Sequence, residues 1–115
     1  MEGPWSRATL RVWPGEMTVA EIDAVLGIEG GVADDRLWYV EPGVGDLHLD
    51  DRLKVVAALL VENGKALAQV AAKCEIDLFV SWTPKDGQDS VCLGPDLIRV
   101  LGELGAHVVM DTHTG

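Results

Sequence analysis

Two stretches of this chain, "RATLRVW" and "EIDLFVSWTP", alternate between apolar and polar side chains. Successive residues of a strand point to opposite faces. Ala8, Leu10 and Val12 therefore share one face of the first stretch, and Arg7, Thr9, Arg11 and Trp13 the other. In the second, Ile76, Leu78, Val80 and Trp82 oppose Asp77, Phe79, Ser81 and Thr83. A sheet made of such strands has one face to bury and one mixed face that can stay open, so it needs helices on one side only. The closing "AHVVMDTH" repeats the pattern: His107, Val109, Asp111 and His113 fall on one side, Ala106, Val108, Met110 and Thr112 on the other. The small and apolar set is expected to meet the helices.

Between the strands the period changes. In "MTVAEIDAVLG", Thr18 is placed to cap a helix, with Glu21 three residues on as its capping-box partner and Met17 set against Ile22 as a hydrophobic staple. Gly27 is expected to close this helix in a left-handed conformation, and "GIEGGVADD" to follow as an acidic loop. "RLWYVEP" reads as a second strand, stopped by Pro42. "LHLDDRLKVVAALLVENGKALAQVAAK" is helical throughout, with Leu49, Leu53, Val56, Leu59 and Leu60 on one stripe and Leu67, Val70 and Ala71 on another; Asn63-Gly64 divides it. The turn "KDGQDS" and the short strand "VCL" are expected to form a hairpin with "EIDLFVSW". "GPDLIRVLGELG" is a further helix, with Pro95 in its first turn, Leu97, Ile98, Leu101 and Leu104 apolar, and Gly105 as terminator.

The resulting order, β-α-β-α-α-β-β-α-β, predicts an α+β two-layer sandwich in which helices cover one face of a mostly antiparallel mixed sheet. At 115 residues the chain suits a single domain spanning 1–115. The longest apolar run, "VVAALLV", falls far short of the ~20 residues that cross a bilayer, and the acidic start carries no secretory signal pattern, so no membrane partner and a cytoplasmic location are expected. Cys74 and Cys92 match no CxxC spacing and are read as buried reduced thiols. Nineteen acids against nine bases leave a net charge of −10, which repels nucleic acid and favours a basic protein partner.

In order along the chain, "ATLRVW", "IDAVLG", "LWYV", "HLDDRL", "LFVSW" and "VLGELGAHVVMDTH" give a pattern that resembles the bacterial DUF4279 domain over nearly its whole length. The resemblance implies a fold and no activity, since that family's name records an unknown function.

No catalytic motif emerges. There is no GxSxG elbow, no GxGxxG or P-loop fingerprint and no DxDxDG calcium loop. Asp111 and His113, two apart on one strand face, are within reach of one ion, but the only other histidines are His107 and His48, and two ligands make a poor site. No metal or cofactor is expected. What remains is the open sheet face, where Trp13 and Phe79 stand as apolar anchors among Arg7, Arg11, His107 and Asp111, a mixture typical of recognition surfaces. The favoured reading is a small acidic non-catalytic protein-interaction module of inhibitor or immunity type, with a homo-oligomer as a further way to cover the face. The alternative is a small-ligand-binding domain or enzyme that uses the same face.

Overall fold

The computed structural model describes residues 6–33, 36–42, 48–83 and 91–112. Along the chain the elements are β1 (Ser6–Trp13), α1 (Val19–Leu26), β2 (Gly31–Ala33), β3 (Leu37–Val40), α2 (Leu49–Glu62), α3 (Gly64–Ala71), β4 (Glu75–Trp82), α4 (Pro95–Leu104) and β5 (His107–Thr112). They form an α+β fold around one five-stranded sheet of order β2-β3-β1-β4-β5. β1 lies at its centre, antiparallel to both β3 and β4; only β4 and β5 run parallel. None of the described helices is long and apolar enough to cross a membrane.

Alternation sorts the two faces as the sequence predicts. Ala8, Leu10, Val12, Trp38, Ile76, Leu78, Val80 and Trp82 join Ile22, Leu26, Leu53, Val56, Leu60, Leu67, Val70, Leu97, Val100 and Leu101 of the helices in one buried cluster. Fully burying a leucine, isoleucine or valine side chain contributes ~1.5–3 kcal/mol, so this cluster outweighs any polar contact on the surface. The helix boundaries follow local chemistry. Thr18 Oγ1 accepts from the Glu21 N–H while Glu21 Oε1 accepts from the Thr18 N–H, and hydrogen bonding to the Thr18 N–H, then to its side chain, holds the Glu21 carboxyl below its ordinary range. Gly27 and Gly105 end α1 and α4 with φ of 66° and 65°, a conformation that a β-carbon disfavours. α2 and α3 divide at Asn63. In α4 the buried stripe is Leu97, Val100, Leu101, with Leu104 partly buried beside it; Ile98, about 100° round the helix from Leu97, lies off the centre of that stripe and is 56% exposed.

Four expectations fail. The glycine-rich stretch expected as a loop contains β2, which pairs antiparallel with β3. The Arg36 N–H donates to the Ala33 carbonyl at 3.1 Å. The second is the hairpin: Val91–Leu93 forms no strand, since β1 and β5 already occupy both sides of β4. The element order is therefore β-α-β-β-α-α-β-α-β. The turn expected at "KDGQDS" lies outside the described residues. Third, Cys74 is half-buried and Cys92 exposed, both as free thiols, so Cys92 is no core residue. Finally, β5 is exposed at all six positions. α2 packs on β1, and α4 packs on α2 and α3, while Val108 and Met110, expected to meet the helices, stay 36% and 48% exposed.

Candidate functional site

The register sets the open face out in rows. Tyr39 of β3 lies beside Arg11 of β1, Arg11 beside Asp77 of β4, and Asp77 beside His107 of β5. The next row runs Thr9, Phe79, Val109, and the one after it Arg7, Ser81, Asp111; Trp13 pairs with Glu75 at the other end.

Asp77 gathers the centre of this face. Its Oδ1 accepts from Arg11 Nε at 2.6 Å, and its Oδ2 accepts from Arg11 Nη2 at 3.0 Å and from Trp13 Nε1 at 2.8 Å. The Arg11 guanidinium carbon lies 4.6 Å from the Phe79 ring centre and 5.4 Å from that of Trp13. Arg11 is thus flanked by two aromatics and forked onto the carboxylate of Asp77, whose side chain is only 12% exposed. Bidentate charge-assisted bonds are strong and directional, and a cation over an aromatic face adds ~0.5–2 kcal/mol. The desolvation cost of a largely buried ion pair offsets much of that gain. The net consequence is orientation: Trp13, 41% exposed, is fastened by its indole N–H instead of swinging free.

The other expected site residues lie apart from this centre. Arg7 reaches Glu41 at 3.4 Å on an exposed part of the face, and Thr9 Oγ1 donates to the same carboxylate at 3.3 Å. His107 and Asp111 are exposed on the edge strand, with Val109 between them. The structure therefore joins Arg11, Trp13 and Phe79, gives Arg7 a separate partner, and leaves His107 and Asp111 on β5. Asp77 and Glu41 hold the face together and were absent from the candidate surface. Alternation placed Asp77 on the right face, but only the register reveals that Arg11 and Trp13 converge on it.

The Asp77 carboxylate is committed to three N–H donors, and Ser81, the nearest hydroxyl along β4, is buried at 3% exposure. Among the described residues, no group of three or more His, Cys, Asp or Glu side chains could hold a metal ion; His113 lies outside them. A groove of about 660 Å³ opens elsewhere, between α2 and the start of α4, lined by Leu53, Ala57, Val61, Cys92 and Leu97 among others.

No family model matches the chain, and no curated protein or solved structure is significantly similar to it.

Proposed function

We propose that this chain is a non-catalytic protein-interaction module whose docking surface is the sheet face opposite the helices, and that its partner is a basic protein, as for an inhibitor or immunity protein. The observation that carries this reading is the fixed Arg11–Asp77–Trp13–Phe79 cluster. Aromatic and arginine side chains dominate the energetics of protein interfaces, and an anchor already held in place loses little entropy on binding. The net charge of −10 supports the sign of the partner, since a field of that sign attracts basic proteins. The likeness to the DUF4279 domain belongs to this proposal and rests on the sequence motifs alone.

Affinity capture from a bacterial lysate tests it, with the wild-type chain, a Trp13→Ala chain and a salt series run side by side. One protein should be retained by the wild type and released as salt rises. It should bind the Trp13→Ala chain at least ~2 kcal/mol more weakly. Capture unaffected by both the substitution and the salt would overturn the reading.

A further inference from the structure

The strand at the other margin of the sheet has the wrong surface for an edge that ends in water. Val108 and Met110 on its helix side and Val109 on its open side are 36%, 48% and 38% exposed. Proteins usually blunt such edges with lysine, proline or a very short strand. β5 is six residues long, and HVVMDT contains neither lysine nor proline.

Set antiparallel against a copy of itself about a two-fold axis normal to the sheet, with Val109 facing Val109, the strand is complementary at each position. His107 then lies opposite Asp111 of the second copy, and Asp111 opposite its His107, so an imidazole N–H meets a carboxylate on either side of a valine pair. On the helix side, Val108 and Met110 meet Met110 and Val108. Sliding the register by two residues puts His107 or Asp111 opposite Val109. Sliding it by four puts like against like, His107 on His107 or Asp111 on Asp111. Asp77, beside His107 across the β4–β5 ladder, is held by Arg11 and Trp13 and leaves the imidazole to the incoming strand. We infer that β5 is a homodimer interface, where two copies of this chain join edge to edge in the Val109-centred register into one continuous ten-stranded sheet.

This inference is independent of the basic partner proposed above, and salt separates the two. Each copy carries −10, so long-range repulsion opposes the dimer; added salt screens it beyond ~8 Å and leaves the apolar contacts in place. Self-association should strengthen with salt, where capture of a basic protein weakens.

Sedimentation velocity on the full chain, from micromolar to near-millimolar concentration, provides the test. The wild type should dimerise. Val109→Lys, which sets two ammonium groups against each other on the axis, should leave a monomer whose unfolding midpoint equals that of the dilute wild type. His107→Asp alone and Asp111→His alone should each weaken the dimer about tenfold or more, since each turns two attractive cross-strand pairs into like pairs. Mixing those two variants should restore wild-type association, because in the mixed dimer each altered residue faces its complement. A wild type that stays monomeric at all concentrations and salt levels overturns the inference and leaves the edge to another chain's strand. So does a dimer indifferent to Val109→Lys, or a mixture of folded single variants that does not associate.

Discussion

The two margins of the sheet solve the same problem in opposite ways. At one, β2 is three residues long, too short to template another chain, and the strand behind it is fastened into the core. Trp38 of β3 is fully buried, and its indole N–H donates to Asp23 of α1 at 2.7 Å; the Gly30 N–H reaches the same carboxylate at 3.1 Å. A β-carbon on Gly30 would overlap that indole, so the chain passes tightly over it only as glycine. At the other margin β5 is twice as long, is exposed at every position and shows apolar side chains on both faces. One edge is sealed by tertiary contacts and the other is left as a surface, so the strand with the more regular alternation in sequence is the less buried in the fold.

The sharpest way to break this contrast is to remove the tryptophan. Trp38→Ala should destabilise the protein by ~3–5 kcal/mol as read by chemical denaturation; a loss below ~1 kcal/mol would show that the β2–β3 margin is no better anchored than β5.

A smaller effect should come from acid. The Trp38 and Gly30 N–H bonds hold the Asp23 carboxyl below its ordinary value. Its folded value thus lies below its unfolded one, and the stabilisation is complete above the unfolded value and lost as pH falls through the folded one. Unfolding midpoints measured from neutral pH downward should fall below about pH 4, and Asp23→Asn, which keeps an acceptor but cannot titrate, should lose part of that fall. Superimposable profiles would remove Asp23 from the account.

The smallest effect belongs to the bare edge. Val108→Ala and Met110→Ala, each tested as dilute monomer, should shift stability by no more than ~0.5 kcal/mol, as is usual for surface positions. A loss like that of Trp38→Ala would mean that β5 is covered after all.

What the sequence shows depends on the range of the cause. The capping box at Thr18, the left-handed glycines at 27 and 105, the break at Asn63 and the two faces of β1 and β4 are all set by neighbours within a few residues, and each is legible. β2 was not, since its glycines carry the signature of a loop and it becomes a strand only through pairing with β3. Val91–Leu93 has strand composition, but the β4 sides it would need are taken. In the same way alternation selects the face that holds Arg11, Trp13, Phe79, His107 and Asp111, yet not their neighbours. That Asp77 draws in the first two while His107 stands at the rim follows from strand order, which no local pattern encodes.

The position of β1 also sets when the protein can fold. The Arg11–Asp77 bond joins residues 66 apart in sequence, so the sheet's middle strand gains one of its two neighbours only after most of the chain has been made. At ~5–20 residues per second a ribosome needs several seconds to cover that distance. During that interval Leu10, Val12 and the backbone of β1 await β4 while α1, α2 and α3 are free to form. The nascent protein should therefore leave its middle strand without one neighbour for the longest time, and a chaperone that traps extended apolar segments would meet it there.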